Sequence, residues 1–135
     1  MELVLVIAII TAIAGITIPV NQRLHIKNAL DMMVITLSQT IRNAQLLSRE
    51  GAGDAGWSVK ITSGNIVLYK GDNYGARDAN FDQVTNFPTT IVTTGLDELH
   101  FTKYAGNPHT SGTINLQIKP YEQNITINEK GTVSY

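Results

Sequence analysis

The sequence predicts an α+β chain: a long N-terminal helix, apolar in its first half and amphipathic in its second, packed on an antiparallel β-sheet domain. Three observations carry this expectation. Residues 3–20 contain no charged side chain. From Leu24 to Ser48 there is neither Gly nor Pro, and apolar residues recur every three or four positions. After Gly51-Ala52-Gly53-Asp54-Ala55-Gly56 the pattern changes to short alternating runs separated by turn residues. The expected boundaries are 1–21 for the apolar half-helix, 22–50 for the amphipathic half and 51–135 for the sheet domain. Residues 22–135 are expected to fold as one unit.

The apolar run from Leu3 to Val20 is about the length that crosses a bilayer as a helix. Two other readings compete. Ala12-Ile13-Ala14 before Gly15 is similar to the small-residue cleavage site of a signal peptide, but the region ahead of the run holds only Glu2 and no cation. A buried core helix would need apolar cover on every side, which a short chain supplies with difficulty. Pro19 removes one backbone donor and crowds the carbonyl four residues back, so a kink is expected there.

In the amphipathic half, Ile26, Leu30, Val34, Leu37, Ile41, Ala44 and Leu47 share one face. Arg23, Lys27, Asp31, Gln39, Arg42 and Arg49 share the other. Leu30, Val34, Leu37, Ile41 and Ala44 are the expected helix-to-sheet packing residues. Gly51 and Gly53 are expected to end the helix, with Arg49 placed favourably in its last turn. A helix from Leu3 to Ser48 would be roughly 70 Å long at about 1.5 Å per residue.

Beyond the Gly/Ala boundary, Trp57, Val59 and Ile61 alternate with polar residues, Ser63-Gly64-Asn65 makes a turn, and Ile66 to Lys70 returns. Residues 57–70 therefore read as a hairpin. Gly71 to Gln83 reads as a loop. Thr89–Thr94, Leu99–Tyr104, Ile114–Ile118, Ile125–Ile127 and Thr132–Ser134 read as further strands, six or seven in all. One sheet face is apolar and requires cover, which the helix stripe supplies.

Glu2-Leu3-Val4-Leu5-Val6-Ile7-Ala8-Ile9-Ile10, with Pro19 further on, resembles the N-terminal segment of type IV pilins and type II secretion pseudopilins. The helix-on-sheet arrangement is the pilin-like architecture. Gly112–Ile118 and the ending Asn124–Val133 bear a weaker likeness to the pseudopilin subgroup. The resemblance implies a structural filament subunit that polymerises through its N-terminal helix. It implies that Glu2 pairs with the N-terminal amine of a neighbouring subunit and that a short basic leader ending in Gly precedes Met1. It further implies related subunits, an inner-membrane assembly platform and a prepilin peptidase as partners. The chain would sit in the inner membrane before assembly, with the sheet domain extracytoplasmic, and in a surface filament or periplasmic pseudopilus afterwards. Arg23 and Lys27, read alone by the positive-inside rule, would place the sheet domain on the opposite side. Without a partner, Glu2 would still gain about 0.3–1 kcal/mol at the positive end of the helix.

Candidate chemistry is sparse. His25, His100 and His109 lack metal-ligand spacing, and no nucleophile elbow or phosphate loop is present, so no enzyme activity is expected. The chain has no Cys, which excludes disulfides and thiolate metal sites. Asp78, Asn80 and Asp82, with Asp72 and Asn73 nearby, form a weak candidate for Ca²⁺, but an EF-type loop would want Gly and Glu where Gln83 and Thr89 stand. Ten basic residues face eleven acidic ones, and Lys60, Lys70, Arg77, Lys103, Lys119 and Lys130 are scattered along the sequence. A minor pilin capturing DNA is therefore the weaker alternative. A membrane-anchored β-domain that never polymerises is the alternative from a different class.

Overall fold

The computed structural model describes residues 2–135, and within the N-terminal helix the side chains of residues 3–12 and 24–50. Helix α1 runs Glu2–Glu50. Its end is set locally. Gly51 adopts φ 63°, its N–H bonds to the Ser48 carbonyl at 3.1 Å, and the left-handed turn suits a residue without Cβ. Ser48 also ties the helix to the first strand. Its Oγ accepts the Trp57 N–H at 2.8 Å, and the Trp57 indole N–H donates to the Ala52 carbonyl at 2.9 Å.

Eight strands follow: β1 Trp57–Thr62, β2 Asn65–Lys70, β3 Gln83–Asn86, β4 Val92–Gly95, β5 Glu98–His100, β6 Gly112–Ile118, β7 Tyr121–Ile127 and β8 Val133–Ser134. The β1–β2 hairpin pairs Thr62 with Asn65 across Ser63-Gly64. The β6–β7 hairpin pairs Ile118 with Tyr121 across Lys119 and a cis-linked Pro120.

Here the expected fold class requires correction. The strands do not form one sheet. They divide into two four-stranded antiparallel sheets, ordered β3-β2-β1-β5 and β4-β6-β7-β8. Nor is any helix, among the described residues, long and apolar enough to cross a membrane. The described stretch 24–50 is one-sided instead. Leu30, Met33, Val34, Leu37, Ile41 and Ala44 are buried, whereas Lys27, Gln39, Arg42 and Arg49 are exposed.

The division has an identifiable cause. The chain leaves the first sheet after β3, pairs β4 with β6 in the second, and returns to β1 through β5. Gly95 makes the return possible. It sits at φ 90°, and a Cβ there would run into the Thr113 carbonyl, whose oxygen accepts the Leu96 N–H at 3.1 Å. Alternation of apolar and polar residues assigns faces to strands but does not choose their partners. The two apolar faces meet the same helix stripe. Val59, Ile61, Leu68 and Leu99 from one sheet, and Ile114, Leu116, Ile125 and Ile127 from the other, join Leu30, Leu37 and Ile41 in one core.

Candidate functional site

The described side chains at the start of α1 form the most distinctive surface. Leu3, Val4, Leu5, Val6, Ile7, Ile9 and Ile10 are between 51% and 74% exposed. Ala8, Thr11 and Ala12 are exposed as well. Val4, Leu5, Ala8, Ile9 and Ala12 line a shallow apolar groove, in which the two small side chains sit one turn apart between larger neighbours. The one polar group here is satisfied internally, since the Thr11 hydroxyl donates to the Ile7 carbonyl at 2.9 Å. A helix surface apolar on all sides is unfavourable in water and favours contact with apolar material. The side chains of Glu2 and Pro19, expected to act in assembly, lie outside the described ones.

Leu30, Val34, Leu37, Ile41 and Ala44 are placed together in the core, all at 4% exposure or less. Met33, absent from the expected packing residues, joins them at 3%. It falls three residues after Leu30, so helical spacing alone could have found it.

The loop expected between β2 and β3 holds two short 3₁₀ turns, Tyr74–Ala76 and Ala79–Phe81. Its carboxylates are engaged in part, and Asp82 Oδ1 is buried without a hydrogen-bond partner. The Asp78 Oδ1 accepts the Asn80 backbone N–H at 3.0 Å and the Asn80 side-chain amide at 2.9 Å. Asp82 Oδ2 accepts from Arg77 Nε at 2.8 Å, and the Arg77 guanidinium lies 3.7 Å from the centre of the Tyr74 ring. This pairing holds the Arg77 guanidinium above its ordinary pKa. Among the described residues no group of three or more His, Cys, Asp or Glu side chains could hold a metal ion. Calcium is accordingly expected to leave the unfolding temperature unchanged when the chain lacking residues 1–21 is titrated in a thermal melt. A rise that Asp78→Ala and Asp82→Ala abolish would establish a cation site.

A polar cluster on the first sheet was not legible from sequence. Ser58 on β1 and His100 on β5 are cross-strand partners, with Ser58 Oγ and His100 Nδ1 2.9 Å apart. The buried Tyr69 hydroxyl donates to Glu98 Oε1 at 2.6 Å, and Lys60 Nζ donates to Glu98 Oε2 at 3.1 Å and Asp97 Oδ2 at 2.8 Å. Burial and the Glu98 carboxylate raise the Tyr69 pKa. The grouping contains a Ser, a His and an acid, yet Ser58 is fully buried and its hydroxyl donates to the Gly71 carbonyl at 2.5 Å. Its proton is therefore committed to a backbone acceptor. The cluster joins three strands and satisfies a buried phenol. Its members lie up to 42 positions apart in sequence, so no local spacing reveals it.

Comparisons of this chain with protein-family models, with curated proteins and with solved structures gave no match. Of the chain's own surfaces, the start of α1 departs most from an ordinary water-facing surface.

Proposed function

We propose that this chain is a structural subunit of a type IV pilus or type II secretion pseudopilus, polymerising through its N-terminal helix. One observation carries the reading: residues 3–12 of α1 are uncharged and exposed, while the apolar faces of both sheets are closed over residues 30–44 of the helix. Burying apolar surface is worth roughly 25 cal/mol per Å². Exposed Leu, Val and Ile side chains over three helical turns therefore favour transfer from water into a bilayer, and then into a bundle of like helices. The sheets face outward and remain hydrated in both states.

Glu2 sets the register of that bundle. Its carboxylate is costly alone among apolar side chains and far less so beside the N-terminal amine of a neighbouring subunit. Related subunits, an inner-membrane assembly platform and a prepilin peptidase are the partners this function requires. The sheet pair lies on the extracytoplasmic side before assembly.

Glu2→Ala is expected to leave the sheets folded and membrane association intact while filaments fail to form or shorten. Electron microscopy of sheared surface filaments, with mass spectrometry to identify the subunit, measures this. Normal filament length in the variant rejects the pairing role. The absence of this chain from any filament made by the unaltered cell favours a tethered β-domain instead.

A further inference from the structure

The fold brings together cations that the sequence scatters. Arg42 and Arg49 lie seven positions apart on α1, two turns or about 10 Å along one helix face. Lys130 comes from the turn between β7 and β8. All three line one pocket of about 310 Å³ with Gln45, Gly131, Thr132 and Val133. All three are exposed, and among the described residues none makes an ion pair. Glu50 and Glu129, their neighbours in sequence, leave them unpaired.

The pocket is a held arrangement. The Gln45 side-chain amide donates to the Lys130 carbonyl at 3.1 Å and to the Gly106 carbonyl at 2.8 Å, which fastens two loops to the helix. Asn128 Oδ1 accepts the Lys130 and Thr132 N–H groups at 3.0 and 2.8 Å, which fixes the turn that carries Lys130. Gly131, at φ 78°, lets that turn pass close to Gln45. Val133 beside it is 7% exposed.

We propose that this pocket binds phosphate groups of a ligand carrying two or more negative charges. Two guanidinium forks and an ammonium supply donors whose geometry suits tetrahedral oxyanions. Three like charges in one concavity repel each other, and a multivalent anion relieves all of that repulsion at once where a single carboxylate would leave most of it. The span between Arg42 and Arg49 accommodates successive phosphates of a chain. Free oligophosphate and the backbone of a nucleic-acid strand both present this chemistry.

Isothermal titration of the full chain in non-ionic detergent with tripolyphosphate tests the site. Saturable binding is expected. Arg42→Gln, Arg49→Gln or Lys130→Gln should each weaken it by about three- to tenfold, the loss of one charge-assisted contact. Raising salt from about 0.01 M to about 0.1 M, which shortens the screening length from roughly 30 Å to 10 Å, should weaken it further. Lys119→Gln removes the same charge from an exposed position outside the pocket and should change nothing. A short single-stranded oligonucleotide that displaces tripolyphosphate identifies strand phosphates as a source. One that fails to displace it leaves free oligophosphate as the ligand, and either result supports the pocket. Absence of saturable binding, or equal weakening by Lys119→Gln, overturns the proposal.

Discussion

Leu37→Asp is expected to abolish folding of the sheet domain. Leu37 is fully buried, in the stripe that separates the two sheets' apolar faces from solvent. The substitution forfeits roughly 1.5–3 kcal/mol of side-chain burial. It also places a carboxylate in a core that offers it no partner, at a cost of several kcal/mol more unless the group takes up a proton. A domain of this size has about 5–15 kcal/mol of stability in total, so the combined cost approaches or exceeds what holds it together. Loss of the cooperative transition in far-UV circular dichroism, with elution as aggregate, is the predicted outcome. Leu37→Met nearly conserves volume and should cost less than about 1.5 kcal/mol. A cooperative melt of Leu37→Asp near that of the unaltered chain would show that the helix stripe contributes little to the fold.

A chain lacking residues 1–48 is expected to aggregate, whereas one lacking residues 1–21 remains soluble and monomeric. The shorter deletion retains Leu30, Met33, Val34, Leu37, Ile41 and Ala44. The longer one removes all six and uncovers the inner faces of both sheets, including Val59, Leu68, Ile114, Leu116 and Ile125. Helix α1 packs on β1 and β2 of one sheet and on β6, β7 and β8 of the other, so it joins the two as well as covering them. The deletion also takes away Ser48, whose Oγ accepts the Trp57 N–H and whose carbonyl accepts the Gly51 and Tyr104 N–H groups. At about 1.5–3 kcal/mol per buried aliphatic side chain, four such losses already match the stability of a small domain. Size-exclusion chromatography and urea unfolding of the two chains measure the difference. If the chain lacking residues 1–48 unfolds cooperatively and stays monomeric, the sheets close on each other without the helix. The proposal of assembly through a helix-braced subunit would then lose its structural basis.

The features legible in the sequence are those set by neighbouring residues. The spacing of Leu30, Val34, Leu37, Ile41 and Ala44 identifies one helix face, because each side chain's direction follows from the 3.6-residue turn. The alternation from Trp57 to Ile61, the Ser63-Gly64 turn and the return through Ile66 identify a hairpin whose register the short loop dictates. The charge-free run from Leu3 to Val20 is likewise a property of composition. β3 was not legible. All four of its residues are exposed, so it lacks the alternation by which a half-buried strand is read, and Gln83 closes the stretch that reads as a loop. β4 begins later than the β-branched run suggests, at Val92, because Ile91 N–H bonds to the Pro88 carbonyl in a turn.

Beyond the β1–β2 hairpin, tertiary structure decided which strands pair, and therefore that there are two sheets. It also decided which charges meet. Ser58 and His100 become neighbours only through the β1–β5 register, and Arg42, Arg49 and Lys130 only because the β7–β8 turn docks against α1. Both outcomes depend on long-range backbone hydrogen bonds and on burial shared between distant segments. Periodicity along a chain records how each residue faces its own element. It carries no term for the partner that the element will choose.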